Sequence, residues 1–167
     1  MIGDVTYSSS PAAESDPAFD RVQKAPAGAP RARSIPRVNI QAFCEDQGTA
    51  AVIQKAAEDR RLARAHVTVQ MGGVQAAVAF YKNASTPSLI IIESLLDRDE
   101  MLGDLDRLAE VCDPGTKVIA VGQVNDVLLY RELLRRGVSE YVLAPIKAPQ
   151  IMEVIAEIGR ASCRERV

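Results

Sequence analysis

Glu93 is the residue of this chain whose type and position best suit chemistry. It lies near the end of residues 87–94 (PSLIIIES), where four branched aliphatic residues run directly into a carboxylate. A short, unbroken apolar run of this kind predicts a strand buried on both faces of a parallel sheet. Because open α/β sheets place their ligand sites at the carboxyl ends of the strands, we expect the functional site around Glu93. We favour a structural role over a catalytic one: the carboxylate accepts hydrogen bonds from amides of the loop that follows its strand.

Metal and nucleotide chemistry have little support in the sequence. Cys44, Cys112 and Cys163 are odd in number and lack metal-ligand spacing, and His66 is the single histidine, so no zinc site is predicted. Neither GxGxxG nor GxxxxGKS occurs, so no phosphate-binding loop is predicted. We therefore predict neither a cofactor nor a bound metal.

The elements that must position Glu93 alternate between strand and helix patterns. An amphipathic helix is predicted after each strand, and the first helix is predicted from about Gln47 to Ala63. This alternation predicts an α/β fold, a flavodoxin-like, doubly wound sheet of five parallel strands in the order 2-1-3-4-5. The predicted strands lie at residues 38–43, 66–71, 87–94, 117–121 and 140–143.

Composition and charge argue against two classes of partner. The formal charge of −2 and the pI near 5.5 give no basis for binding nucleic acid. No apolar run is long enough to span a bilayer, and the chain does not start with a secretory signal. We therefore expect a cytoplasmic domain without direct membrane insertion.

The chain divides into three parts by composition. Residues 1–36 mix Ser, Ala, Pro, Gly and charge, which predicts a disordered leader. Residues 37–156 carry the alternating pattern of one domain. Residues 157–167 (EIGRASCRERV) lack an apolar period and match translated sequencing-adapter read-through, so we expect this end not to be native. A charged, frayed helix end is the alternative.

Three segments resemble the receiver domain of two-component signalling, the CheY-like fold. PSLIIIES resembles the strand that carries the phosphorylated aspartate, VIAVG the fourth strand, and EYVLAP the fifth. The resemblance implies that Glu93 occupies the phosphoacceptor place, Gly122 the hydroxyl place and Ala144 the lysine place. Tyr141 retains the switch aromatic.

The same resemblance implies that phosphorylation chemistry is lost. Ala42 and Phe43 stand where the Mg²⁺-binding acidic pair is expected, unless Glu45 and Asp46 serve from a shifted register. Phosphoryl transfer needs a nucleophile, a metal and neutralising cations. The phosphoacceptor place here holds a longer carboxylate, and the other two places supply neither a hydroxyl nor a cation. We therefore expect a degenerate receiver, kept for contacts and not for chemistry.

A narrower resemblance covers most of residues 37–153. Its most specific stretch is DPGTKVIAVGQVNDVLLYRELLRRGVSEYVLAP, which is similar to the N-terminal part of the CpaE/TadZ family of pilus assembly proteins. The resemblance implies a receiver-like domain followed by a ParA/MinD-like ATPase, which we expect to be missing here by truncation. It also implies a role in polar placement and assembly of a type IVb (Flp, tad) pilus, with pilus assembly or polar localisation proteins as partners. Recruitment to the cell pole or to the inner-membrane pilus machinery follows from that role.

The predicted fourth helix has more apolar residues than one core-facing stripe requires. Leu129 shares one face with Leu133, and Tyr130 shares the next face with Leu134, so we expect one pair at the surface. Burial of the whole stripe is the alternative. Through helix 4, strand 5 and helix 5 we predict a weak homodimer, with contributions from Tyr130, Arg131, Arg135 and Tyr141.

Two competing functions remain open at this point. A phosphorylatable response-regulator receiver is the first alternative. A flavodoxin-like enzyme or FMN-binding protein is the second, although the missing phosphate loop and the 4% aromatic content disfavour it.

Removing residues 1–36 is expected to leave the thermal unfolding midpoint of the remaining domain nearly unchanged, because this segment has little apolar surface with which to pack. Calorimetry of the full and shortened chains measures this. A fall of many degrees would show that the segment packs against the domain.

Overall fold

The computed structural model describes residues 37–165, with side chains described through residue 162. The predicted leader at residues 1–36 therefore lies outside the described residues. Strands and helices alternate, with a short 3-10 helix at Arg60–Leu62 between the first helix and the second strand. In chain order the elements are β1 (Asn39–Cys44), α1 (Gln47–Ala57), β2 (His66–Met71), α2 (Gly73–Tyr81), β3 (Leu89–Ser94), α3 (Arg98–Val111), β4 (Lys117–Gly122), α4 (Val127–Arg135), β5 (Glu140–Leu143) and α5 (Ala148–Glu165).

The five strands form one parallel sheet in the order β2-β1-β3-β4-β5. This confirms the predicted flavodoxin-like, receiver-like fold. Because every pairing is parallel, the carboxyl ends of all the strands meet at one edge of the sheet. β3 is central, and β1 and β4 lie on either side of it. The loops after these three strands are therefore neighbours.

Apolar side chains cover both faces of the sheet. All six residues of β3 are buried, as the unbroken apolar run predicts. Ile91 belongs to the core that packs against α1 and α5. Ile90 and Ile92 belong to the core formed with α2, α3 and α4. Burying an aliphatic side chain contributes about 1.5–3 kcal/mol, so the central strand anchors both layers of helices.

Aspartate side chains begin three of the helices. Asp46 accepts a hydrogen bond from the Thr49 amide at the start of α1. Asp97 caps α3, and Asp126 caps α4 through the Leu128 amide. Each cap satisfies an amide that has no partner within its helix. At the other end of α4, Gly137 takes a φ of 96°, the left-handed conformation that ends helices.

Two helix boundaries differ from the sequence prediction. α1 ends at Ala57 and does not reach Ala63, because the Asp59 side chain accepts the Arg61 amide at 2.8 Å and starts the 3-10 helix. Such local side-chain contacts compete with helix propagation. α5 continues unbroken to Glu165, so the backbone of the segment predicted to be non-native is helical through that residue. None of the helices in the described part of the chain combines the length and hydrophobicity of a bilayer span.

Candidate functional site

Glu93 lies at the carboxyl end of β3 with its carboxylate fully engaged by the protein. The side chain is only 1% exposed. Its Oε2 accepts the backbone amides of Glu45 and Asp46, each at 2.8 Å. Its Oε1 accepts the Thr49 hydroxyl at 2.6 Å. We name these four residues the Glu93 site.

The Glu93 carboxylate lies at the N-terminal end of α1. Asp46 is the N-cap of this helix, and the amides before its first turn point toward the carboxylate. Helix N-termini stabilise negative charge through unpaired N–H groups and the helix dipole. Sequence analysis expected Glu93 to face the loop after its own strand. The structure places it against the loop after β1 instead, because β1 is the adjacent strand and ends at the same edge.

The Glu45 carboxylate makes a second connection at this edge of the sheet. Glu45, in the loop after β1, accepts the Leu95 amide from the loop after β3 at 2.9 Å. Gly73 leaves room for this side chain: a Cβ there would lie 2.5 Å from Glu45 Oε1. The loop after β1 is therefore joined to the end of β3 by Glu93 and to the loop after β3 by Glu45.

Neither member of the proposed shifted Mg²⁺ pair is free of protein contacts. Glu45 accepts the Leu95 amide, and Asp46 caps α1 through the Thr49 amide at 3.0 Å. Among the described residues, no group of three His, Cys, Asp or Glu side chains is arranged to hold a metal ion.

Cys44 precedes the site at the end of β1 and is fully buried. Burial, together with the nearby carboxylates of Glu93 and Asp46, raises the pKa of its thiol to about 12. A raised pKa keeps the sulfur protonated at neutral pH and makes it a poor nucleophile. Cys44 is a packing residue of the site.

Ala144 and Gly122, the other two positions named from the resemblance to receivers, have different surroundings. Ala144 lines a cavity of about 350 Å³ together with Asp46, Thr49, Glu93 and Gln123. The place of Gly122's missing side chain is filled: a Cβ there would lie 2.6 Å from both the Tyr141 hydroxyl and Met101 Cε. Positions 122 and 144 therefore offer neither a side-chain hydroxyl nor a cation to a phosphoryl group.

The exposed face of α4, with Leu143 of β5, is a second candidate site, which we call the α4 surface. Leu129 and Leu133 are fully buried, whereas Tyr130 and Leu134 are more than one third exposed, as helical spacing predicts. Arg131 and Arg135 are exposed beside them, and Arg135 pairs with Glu132. The apolar residues of this surface are Val127, Leu128, Tyr130, Leu134 and Leu143.

Tyr141 is not part of the α4 surface, which corrects the sequence prediction. Its ring is 9% exposed and belongs to the core. Its hydroxyl donates to the Val124 carbonyl at 2.9 Å. Strand alternation points this residue toward α4, and the space at Gly122 admits the ring into the interior.

Sequence reasoning missed Thr49 and Gly73. Thr49 supplies the only side-chain donor that the Glu93 carboxylate has among the described residues. Gly73 has a φ of +57° and admits the Glu45 side chain. The sequence signal for the former is a threonine three residues after the capping Asp46, in the first turn of α1.

The fold and the site together define a receiver-like domain in which the protein's own donors hydrogen-bond both carboxylate oxygens of Glu93. A scan of protein-family models and a search of curated proteins each found no match. Solved structures do match. The chain is 52% identical to the pilus assembly protein CpaE from Caulobacter crescentus CB15, with a TM-score of 0.73, covering 75% of this chain and 96% of that one. This chain belongs to the CpaE family of pilus assembly proteins.

Two further structures are similar, one in family and one in fold. A structure described as a CpaE2 pilus assembly protein from Sinorhizobium meliloti 1021 is 38% identical, with a TM-score of 0.70, covering 72% of this chain and 99% of that one. A signal receiver domain of a modulated diguanylate cyclase from Desulfovibrio desulfuricans G20 is 17% identical. Its TM-score is 0.58, it covers 77% of this chain and 98% of that one, and it supports the fold alone.

Glu93→Ala is expected to lower the free energy of unfolding by roughly 2–4 kcal/mol, because it leaves the amides of Glu45 and Asp46 and the Thr49 hydroxyl without their acceptor. Chemical denaturation measures this. Glu45→Ala is the matched control: it removes the acceptor of a single amide, that of Leu95, at an exposed contact, so we expect a loss below about 1 kcal/mol. Equal effects of the two substitutions would contradict the structural role of Glu93.

Proposed function

We propose that this chain serves as a non-catalytic, receiver-like interaction and localisation domain in pilus assembly. The observation that carries the proposal is the engagement of both Glu93 oxygens by protein donors within a buried site. A carboxylate that holds two loops together is poorly available as an attacking nucleophile. The domain's contribution then lies in its surface.

Membership of the CpaE family supports the proposal that this domain acts in pilus assembly. We propose that the full-length protein is cytoplasmic and carries a ParA/MinD-like ATPase domain after this one. We further propose that it acts in the placement of a type IVb (Flp, tad) pilus at the cell pole, with recruitment to the inner-membrane pilus machinery. The 52% sequence identity to the Caulobacter CpaE supports the assignment to pilus assembly.

Self-association through the α4 surface is the second part of the proposal. Val127 and Leu128 are 64% and 60% exposed, which is unusual for adjacent aliphatic residues. The surface carries charges of both signs: Arg131 is exposed, and the carboxylate of Glu140 raises the pKa of the Tyr130 hydroxyl. A two-fold contact lets the arginines of one copy face the carboxylates of the other. The apolar residues are few, so we propose a weak dimer.

The domain is expected not to be phosphorylated by acetyl phosphate in the presence of Mg²⁺. Glu93 is buried and hydrogen-bonded, and the positions of Gly122 and Ala144 supply no group that would stabilise a phosphoryl transition state. Retention of radiolabel on the purified protein tests this. Label that persists in Glu45→Gln and disappears in Glu93→Gln would show that the receiver chemistry survives.

Tyr130→Glu and Arg135→Glu are each expected to weaken the dimer by about tenfold or more, because losing a central interface aromatic or arginine costs at least about 1.4 kcal/mol. Sedimentation over a concentration series measures the dissociation constant. Lys55→Glu is the control, since it reverses an exposed charge on α1, across the sheet from α4. The proposed dimer through the α4 surface would be contradicted if the domain is monomeric at every concentration. It would also be contradicted if neither α4 substitution changes the dissociation constant.

A further inference from the structure

The outer edge of β2 lacks the features that normally prevent a strand from pairing with another chain. β2 is a terminal strand, and within the described part of the chain no strand pairs with its outer side. Its sequence, HVTVQM, contains no Lys, Arg, Asp, Glu, Gly or Pro. Edge strands are usually protected by charged residues, proline or bulges. β5, the other terminal strand, is shorter and begins with Glu140. β2 is therefore the edge that is better suited to pairing.

The main-chain groups of β2 point alternately toward β1 and away from the sheet. The amides of His66 and Gly72 donate to main-chain carbonyls of residues 38 and 44, at 3.0 and 2.8 Å. Because N–H and C=O groups alternate in direction along a strand, the groups of the odd-numbered residues point outward. These residues are Val67, Val69 and Met71.

The outward groups of β2 match those of a second copy of the same strand. When two copies run antiparallel about a two-fold axis at Val69, Val69 faces its counterpart and Val67 faces Met71. Residues that face each other in this way exchange both of their main-chain hydrogen bonds. An axis at Thr68 would instead bring Ala65 opposite Met71, and the Ala65 amide already donates within its own chain at 2.7 Å. The axis at Val69 pairs every outward group.

Exposed charges at the two ends of β2 favour the same antiparallel arrangement. Arg60 and Arg64 are exposed shortly before the strand begins. Glu45 and Asp46 are exposed beyond its other end, where a Cβ at Gly73 would lie 2.5 Å from Glu45 Oε1. In an antiparallel pair, the basic end of one copy lies beside the acidic end of the other. A parallel pair would place like charges together, so the charges favour the antiparallel one.

We propose that the β2 edge binds a second copy of this chain, by antiparallel β2–β2 pairing that joins the two sheets into one. The side chain of Met71, which is 46% exposed, then packs against Val67 of the other copy. β2 and β5 lie at opposite edges of the sheet, so this contact is separate from the α4 surface and does not depend on the dimer proposed there. When both contacts form, they link copies of the chain into an open row.

Amide hydrogen exchange of the isotope-labelled chain, measured by NMR over a concentration series, tests the pairing. We expect the amides of Val67, Val69 and Met71 to exchange about tenfold or more slowly in the associated chain than in the monomer, because association supplies their acceptors. The amides of Thr68 and Gln70 are the internal control. They point toward β1 and should be protected at every concentration.

Each result of the exchange experiment bears on the proposal. Slowing of the outward amides that grows with concentration supports it. Fast exchange of these amides in a sample that sedimentation shows to be associated overturns it. Slow exchange in a sample that sediments as a monomer also overturns it, because another part of the chain then covers the edge. A chain that is monomeric at every concentration, with fast outward amides, overturns it as well.

Two double variants test the register, because an axis at Val69 places Thr68 directly opposite Gln70 of the other copy. Thr68→Lys/Gln70→Lys brings like charges together and is expected to weaken association by about tenfold or more. Thr68→Lys/Gln70→Glu is the matched control: it brings opposite charges together, so association should stay within about threefold of the wild type. Equal dissociation constants for the two variants overturn the pairing. The exchange pattern of the wild-type chain does not depend on the folding of either variant.

Tyr130→Glu separates this contact from the dimer proposed through the α4 surface. Loss of association in this variant, with fast outward β2 amides in the wild type, supports the α4 dimer and overturns the β2 pairing. Unchanged association with slow outward amides supports the β2 pairing and removes the α4 dimer. Weaker association both in Tyr130→Glu and in Thr68→Lys/Gln70→Lys supports the two contacts together.

Discussion

The structure around the sheet edge depends on one buried negative charge. Removing a carboxylate from water costs several kcal/mol unless donors replace the solvent, and Glu93 receives three of them. All three come from residues 45–49, so the end of β3, the loop after β1 and the start of α1 have to be formed together. The Glu45 carboxylate accepts the Leu95 amide and so joins the loop after β1 to the loop after β3.

The three positions that the resemblance assigns to receiver chemistry take part in different kinds of interaction. At Glu93 a hydrogen-bond network within the chain stands where a nucleophile is expected. At Gly122 an aromatic ring and a methionine fill the space. Ala144 lines a cavity of about 350 Å³, which Glu93 also borders. The edge that carries ligands in related folds has thus become part of the structural framework, and the chemically varied, exposed residues lie on α4.

The sequence predicted the features that arise from local pattern. The apolar run before Glu93 predicted the central strand, the strand–helix alternation predicted the sheet order, and helical spacing separated buried Leu129 from exposed Tyr130. Contacts between distant segments were not predictable in this way. Glu93 meets amides 47 and 48 residues away, and the inward ring of Tyr141 depends on a glycine in a neighbouring strand. Both require the packed geometry, which periodicity does not contain.

The buried Cys44 thiol can report how often this edge of the sheet opens. The thiol is fully buried among residues that pack against α1, and its raised pKa leaves it without thiolate character at neutral pH. A thiol reagent can reach the sulfur only when α1 and the adjoining loop detach from the sheet. The modification rate of Cys44 therefore reports the free energy of local opening, through an atom that the protein already contains.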